Sequence, residues 1–107
     1  MVEKTVLCGA SCYDEKYYFN PLFDKIPQEL KDELKIMCVT AAEEAGGIIL
    51  LVFDEDGSLQ FECHWDEGDI LYDEIGAGLL VDRYRRNHAE TLEMLEKFYL
   101  LVVVPQM

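Results

Sequence analysis

Prolines and glycines are scarce in this sequence, at three and seven of 107 residues, whereas half of the residues are apolar. This composition excludes a disordered tail, because the chain can bury enough apolar surface to offset the entropy lost on folding. The length supports one hydrophobic core rather than two. We therefore predict a single domain that spans residues 1–107.

Basic residues are also few in this chain. Nine Lys and Arg stand against 22 Asp and Glu, which gives a formal net charge of −13. A surface with this charge repels the phosphate backbone of nucleic acids and the anionic lipids of a membrane. We expect neither nucleic acid nor a membrane among the partners of this protein.

Long hydrophobic runs and signal sequences are absent as well. No run of about 18 apolar residues occurs, as a membrane-spanning helix would need, and residues 1–4 lack the basic and hydrophobic regions of a secretory signal. The cysteines are too irregularly spaced for a disulfide framework, so we predict reduced thiols. They are Cys8, Cys12, Cys38 and Cys63. Together these features predict a cytoplasmic protein.

Two segments near the amino terminus predict a β-hairpin. Residues 5–10 are apolar and partly β-branched, and residues 16–19 are rich in aromatic side chains. Asn20 and Pro21 then end the second strand, because proline cannot donate a hydrogen bond to a strand ladder.

A second hairpin is predicted in the middle of the chain. Residues 48–53 are apolar at every position, which is typical of a central strand buried on both faces. Residues 58–65 alternate between polar and apolar side chains and predict a neighbouring strand with one wet face. The intervening residues 54–57 resemble the start of a calcium loop. We interpret them as a hairpin turn, because Trp65 stands where that loop needs its last carboxylate.

The first helix is the clearest in the sequence. Pro27 suits the first turn of a helix, and Gly46 and Gly47 suit its end. The apolar side chains between them recur at helical spacing on one face. They are Leu30, Leu34, Met37, Cys38, Ala41 and Ala45.

Two further helices are predicted in the second half of the chain. The second helix is expected to begin at the N-cap Asp69. Its inward side chains are predicted to be Leu71, Tyr72, Ile75 and Leu79. The third helix is expected to begin at the N-cap Asn87 and to end at Pro105, and a terminal strand over residues 99–104 is the alternative.

The order of these elements, ββαββαα, predicts an α+β fold. We expect an antiparallel sheet of about four strands, built from two hairpins, with helices packed mainly on one face. If the strand over residues 48–53 is apolar on both faces, the face without helices needs another cover. We expect a second copy of the chain to supply it, and so predict a homodimer.

The densest group of possible metal ligands follows the second hairpin. It combines an imidazole with carboxylates, which suggests a divalent-metal-dependent hydrolase as one hypothesis. The group also includes Glu67 and Glu74, and its candidate metal ligands are His64, Asp66, Asp69 and Asp73. The same positions also suit helix capping and a solvated loop, and we favour that interpretation.

The other sequence features are weaker evidence for a catalytic or binding site. Cys63 and His64 are adjacent on a predicted strand and point to opposite faces, which argues against a shared zinc site. Gly76 and Gly78 lack the third glycine of a dinucleotide fingerprint. The arginine cluster at residues 83–86 is expected to pair with acids, within one chain or between two chains. We assign no catalytic residue, no metal and no cofactor.

Four segments of the chain resemble a known family. They are residues 4–10, residues 16–21 without Phe19, residues 53–57 and residues 71–76. The sequence is similar there to a domain-of-unknown-function family of short proteins from clostridial Firmicutes. This resemblance covers nearly the whole chain and implies a cytoplasmic single domain. It implies no catalytic residue, because the family has no assigned activity.

Three functions are compatible with these features. We favour a non-catalytic, homo-oligomeric interaction or regulatory domain, because each conspicuous motif has a structural explanation. The second hypothesis is the metal-dependent hydrolase. The third is a domain that binds a small apolar ligand between the sheet and the first helix, with Tyr17, Tyr18 and Trp65 in the pocket wall.

Overall fold

Four antiparallel strands form the centre of the fold in a computed structural model that describes residues 4–106. They are β1 (Thr5–Ser11), β2 (Lys16–Phe19), β3 (Ile48–Phe53) and β4 (Leu59–His64). Their order in the sheet is β2-β1-β3-β4. The prediction of one sheet built from two hairpins, with β3 inside it, is confirmed.

The turn between β3 and β4 is closed by a short polar network. Gly57 has a φ of 87°, a backbone conformation that glycine adopts without strain. Asp56 Oδ1 accepts hydrogen bonds from Ser58 Oγ at 2.7 Å and from the Ser58 amide at 3.0 Å. These two bonds lower the pKa of the Asp56 carboxyl. The acidic residues 54–57 therefore form a hairpin turn, as the sequence indicates.

A bulge in β1 directs two consecutive side chains into the core. The pairing of β1 with β3 shifts register between Val6 and Cys8, so that Leu7 is the extra residue. Both Leu7 and Cys8 are fully buried in the same core cluster, whereas a regular strand would direct two neighbouring side chains to opposite faces. Beside the bulge, Asn20 Nδ2 donates to the Val6 carbonyl at 2.7 Å and ends the pairing with β2.

Three α-helices accompany the sheet: α1 (Gln28–Ala45), α2 (Glu74–Asn87) and α3 (Ala89–Phe98). α1 packs on β1 and β3, and α3 packs on β4. The predicted apolar stripe of α1 is confirmed, since Leu34, Met37, Cys38 and Ala41 are all buried. The core-facing side chains of β3 are Ile49, Leu51 and Phe53. One face of the sheet is thus covered by helices, in agreement with the predicted α+β class.

At one side of this core, stacked aromatic rings connect the carboxyl-terminal part of the chain to β3 and β1. Phe53 stacks on Tyr99 with ring centroids 4.0 Å apart, and Phe23 stacks on Phe53 at 5.4 Å. The Tyr99 hydroxyl lies 3.1 Å from Thr5 Oγ1 of β1. Burial of large aromatic rings makes them dominant contributors to the stability of a core.

The carboxyl-terminal part of the chain is helical throughout its described length. The predicted break near residues 86–87 is confirmed, but Asn87 is the last residue of α2 and does not cap α3. His88 occupies the cap position of α3 without a side-chain hydrogen bond. The alternative of a terminal strand is wrong, because α3 continues as a π-helical turn, Tyr99–Val103, whose first and last residues are buried.

The start of α2 also differs from the prediction. Its N-cap is Asp73, whereas the sequence indicated Asp69. The side chain of Asp69 bonds instead to Tyr13, and its carbonyl accepts a turn hydrogen bond from the Tyr72 amide at 3.3 Å. A capping residue acts only where the chain after it is helical, and here the chain makes turns until Asp73.

The sheet's own side chains cover most of the face opposite the helices. Val52 is only 3 % exposed there, and Val6, Ile48 and Leu50 are half-buried. The Leu50 side chain lies across Gly9, where an added Cβ would be 2.3 Å from Leu50 Cδ2. Glycine in β1 therefore lets an aliphatic side chain of the neighbouring strand fold over the sheet.

Gly47 joins α1 to β3 at a point where no side chain fits. Its φ is 69°, and an added Cβ would be 2.4 Å from the His64 carbonyl oxygen and 3.0 Å from the Tyr72 ring. We predict that Gly47→Ala lowers the free energy of unfolding by about 3 kcal/mol, from backbone strain together with the steric conflict. Denaturant unfolding measures this loss.

The matched control is Gly68→Ala, because an added Cβ at Gly68 meets no atom within 4 Å. This variant should unfold at nearly the wild-type denaturant concentration. Equal stability of the two variants would contradict the steric account.

Candidate interaction surface

The loop between β4 and α2 is held in place by Tyr13 from the turn of the first hairpin. The Tyr13 hydroxyl donates to Asp69 Oδ2 at 2.6 Å and accepts from the Asp66 amide at 3.1 Å. The bond to Asp69 is the main cause of a raised pKa of the Tyr13 phenol. Asp69 Oδ1 also accepts from the Leu71 amide at 3.3 Å. Both carboxylate oxygens of Asp69 therefore serve the structure of the loop.

The other residues of the predicted metal cluster have separate positions. Asp73 Oδ1 accepts from the Gly76 amide at 3.0 Å and caps α2. His64 Nε2 lies 3.1 Å from Glu62 Oε1 at the end of β4. In the described range 4–106, no three or more His, Cys, Asp and Glu side chains converge as a metal site would require. The structure does not assemble the predicted ligands into one set.

The three aromatic residues predicted to line a ligand pocket are also separated. Tyr17 packs against the core, whereas Tyr18 is 53 % exposed, as expected for neighbours on one strand. Trp65 stacks on Tyr72, with ring centroids 4.5 Å apart and planes 9° from parallel. This stack fixes the loop before α2, and the groove that includes Tyr17 does not include Trp65.

Buried thiols fill the space between Tyr17 and α1. Cys8 Sγ and Cys38 Sγ are 3.5 Å apart, and both residues are fully buried. The contact with Cys8, together with burial, raises the pKa of the Cys38 thiol. A thiol that stays protonated is a poor nucleophile, so this pair packs the core as small apolar side chains.

Two open grooves flank α1. One, of about 640 Å³, lies against the first hairpin and includes Cys12 and Tyr17. The other, of about 580 Å³, lies against the junction of α2 and α3 and includes His88. In that groove Glu33 Oε2 accepts from Thr91 Oγ1 at 2.6 Å and lies 3.6 Å from His88 Nδ1. These polar groups contact one another and tie α1 to the start of α3.

Four exposed aliphatic side chains lie around the start of α2, and three of them are the most exposed large apolar side chains within residues 4–106. Ile70 and Leu71 are 91 % and 90 % exposed, and Ile75 and Leu79 are 79 % and 66 % exposed. We refer to these four residues as the apolar ridge. Single exposed aliphatic residues are common on proteins, but several within one segment of ten residues indicate a surface that binds another molecule.

The orientation of α2 makes two residues of the ridge, Ile75 and Leu79, point away from the protein. Ile75 and Leu79 are four residues apart and share one face of the helix, and Ala77 and Tyr84 are buried on the opposite face. The Tyr84 hydroxyl donates to Glu44 Oε1 of α1 at 3.3 Å. Arg85 Nη1 donates to the Leu59 carbonyl of β4 at 3.3 Å. Contacts with two different elements therefore set the rotation of α2.

The sequence predicted the opposite orientation for these aliphatic residues. Leu71, Ile75 and Leu79 were expected to face the core, and that prediction is wrong. Hydrophobic spacing identifies an apolar face but does not say whether the face packs on its own chain or on another molecule. A second stripe at helical spacing, formed by Ala77, Leu80 and Tyr84, could have corrected the predicted orientation of this helix.

The fold and this surface together define a small α+β domain that exposes an apolar ridge beside an acidic loop. The chain belongs to a family of unknown function (DUF6145), whose model matches residues 4–107. This match confirms the resemblance to a domain-of-unknown-function family. No curated protein and no solved structure matches the chain. None of the helices within residues 4–106 has the length and apolarity needed to cross a membrane.

The Tyr13 hydroxyl is predicted to stabilise the loop before α2. Tyr13→Phe removes the bonds to Asp69 and to the Asp66 amide, and we expect a loss of about 1 kcal/mol. Amide hydrogen exchange should speed up in residues 66–72 while exchange in β3 stays unchanged. Tyr18→Phe is the control, since Tyr18 is exposed and its hydroxyl has no hydrogen bond within residues 4–106. Unchanged exchange in the loop of Tyr13→Phe would contradict this role.

Tyr72 is predicted to contribute to the alkaline sensitivity of the fold. Burial raises the pKa of Tyr72 to about 12, and the neighbouring Cys63 adds to the shift. An unfolded tyrosine ionises near pH 10, so the stability from the neutral phenol is present below that pH. It is lost as the pH rises towards 12.

Tyr72→Phe should therefore reduce the fall in unfolding free energy between pH 9 and pH 11.5. At pH 8 it should change the stability little, because the enclosed Tyr72 hydroxyl has no geometric hydrogen bond within residues 4–106, and only the weakly polar Cys63 thiol lies beside it. Denaturant unfolding across this pH range, with Tyr18→Phe as the control, measures both effects. An unchanged pH slope for Tyr72→Phe would refute the assignment.

Proposed function

We propose that this protein is a non-catalytic interaction domain that forms a homodimer through the apolar ridge. The observation that carries the proposal is the 66–91 % exposure of four aliphatic side chains within the ten residues 70–79. Burying a large aliphatic side chain contributes about 1.5–3 kcal/mol. Four such side chains from each copy can therefore supply the free energy of a specific association, after the cost of immobilising two molecules.

The ridge is supported by groups that hold it in a fixed shape. Ile70 and Leu71 lie in the loop that Tyr13 anchors, directly before the ring of Tyr72 stacked on Trp65. Ile75 and Leu79 lie on a regular helix. A surface that is ordered before binding loses little conformational entropy on association, which favours affinity.

The uncovered face of the sheet is a weaker candidate for the dimer interface. Its central aliphatic residues are half-buried or buried within one copy, with Val52 only 3 % exposed. Lys4, Glu62 and Asp54 place charges along its edge. Each side chain of the ridge is more exposed than the aliphatic residues of this face, Val6, Ile48, Leu50 and Val52.

A non-catalytic role agrees with the distribution of the polar side chains. The carboxylates of Asp69 and Asp73 are used for loop and helix structure, and the thiols of Cys8 and Cys38 are buried together. Thiols that stay unpaired also fit a reducing compartment, so we propose a cytoplasmic setting.

Substitution of the ridge is expected to dissociate the dimer. The double variant Leu71→Asp with Leu79→Asp places carboxylates in an apolar contact, and its dissociation constant should rise at least about a hundredfold. Sedimentation equilibrium measures the dissociation constant of the dimer. Protein concentrations from about 1 to 200 µM cover the range of typical subunit affinities. Folding should be retained, because both side chains are exposed.

The matched control is Leu101→Asp, since Leu101 is 76 % exposed and lies outside the ridge. It should dimerise like the wild type. A wild-type chain that stays monomeric at every concentration would overturn the proposed function.

A further inference from the structure

The stretch of chain that carries the apolar ridge has opposite charges at its two ends. The loop before the amino end of α2 contains Asp66 and Glu67, both exposed. The carboxyl end of α2 contains Arg86, which is also exposed. Arg86 follows Ile75 and Leu79 at positions i+11 and i+7, so all three side chains project from the same face of α2.

These terminal charges have no partner among residues 4–106 of the same copy. Arg83 pairs with Glu44 at 2.6 Å, and Arg85 donates to Leu59 and Gln60 of β4. Arg86 has no ion pair or hydrogen bond from its side chain to any residue in the range 4–106. The carboxylates of Asp66 and Glu67 likewise make no ion pair or hydrogen bond within that range. An unpaired guanidinium is notable in a chain with 22 acidic residues.

We propose that two copies pair their α2 helices in antiparallel orientation about a twofold axis, so that Arg86 of each copy meets Asp66 and Glu67 of the other. A twofold interface is self-complementary, because each patch must fit the same patch turned around. The antiparallel arrangement brings the basic end of one helix beside the acidic loop of the other. A parallel arrangement would place like charges together, which is costly at an interface.

The apolar seam fits the same arrangement. When Ile75 of one copy lies opposite Leu79 of the other, the twofold axis passes level with residue 77 of each helix. Gly78 is next to this level, and the space around its missing Cβ is empty to 4 Å. Gly78 lies about 80° around the helix from the middle of this seam, so its missing side chain leaves the flank of the seam open. Ile70 and Leu71 then extend the apolar contact towards the acidic loop.

This inference rests on the proposed function, which it makes specific in partner, orientation and charge pairing. The partner is a second copy of the chain, because both halves of the required charge pattern are present on one surface. A different protein would need only one of them.

Charge reversal with mutual rescue tests the arrangement. Arg86→Glu places a carboxylate opposite an acidic loop, and the double variant Asp66→Lys with Glu67→Lys places two ammonium groups opposite Arg86. Each should raise the homodimer dissociation constant about tenfold or more. A mixture of the two variants should form heterodimers with close to wild-type affinity. In the heterodimer the new glutamate of one copy meets the two new lysines of the other, and the remaining Arg86 meets the remaining acidic loop, so both contacts join opposite charges. Native mass spectrometry separates the heterodimer from both homodimers by mass.

The control is Arg83→Glu mixed with the same lysine variant, since Arg83 is already paired with Glu44 and should give no comparable rescue. The antiparallel pairing is supported if heterodimers exceed the statistical amount in the mixture that contains Arg86→Glu but not in the mixture that contains Arg83→Glu. A wild-type dimer that is insensitive to both charge reversals would overturn the pairing while leaving the proposed function intact. A monomeric wild type would overturn the proposed function itself.

Discussion

One-sided packing of helices on the sheet is the constraint on which the rest of the structure depends. α1 covers β1 and β3, and α3 covers β4, on a single face. The bulge at Leu7 adds a further side chain to that face, and the aromatic stack of Phe53 and Tyr99 closes one side of it. Because apolar burial drives folding, the polar groups that remain outside this core serve mainly to fix loops and helix ends.

The position of α2 follows from this packing and decides the character of the surface. α2 meets α1 through Tyr84 and Glu44, and it meets β4 through Arg85. With its small and aromatic side chains turned inward, its aliphatic side chains are turned outward. The exposed ridge is thus a consequence of how one helix is rotated, and its loop is fixed by hydrogen bonds of Tyr13 from the turn between β1 and β2.

The sequence predicted the elements better than the contacts between them. Strand alternation and the glycines at Gly46, Gly47 and Gly57 marked the hairpins and the end of α1, because period and backbone conformation are local properties. The helix start at Asp69 and the cap at Asn87 were wrong. Many Asp and Asn side chains satisfy the local pattern of a cap, and distant partners such as Tyr13 decide which of them acts as one.

The sequence by itself determined the α+β class, the order of the strands along the chain, the strong acidity and the apolar stripe of α1, since each follows from composition or periodicity. Only the tertiary structure decided that the aliphatic residues of α2 face outward and that Arg86 is unpaired within the described residues 4–106. It also decided that the predicted metal ligands are dispersed. Rotation of a helix depends on contacts with residues far away in sequence, such as Glu44 and Leu59, and no local pattern records those contacts.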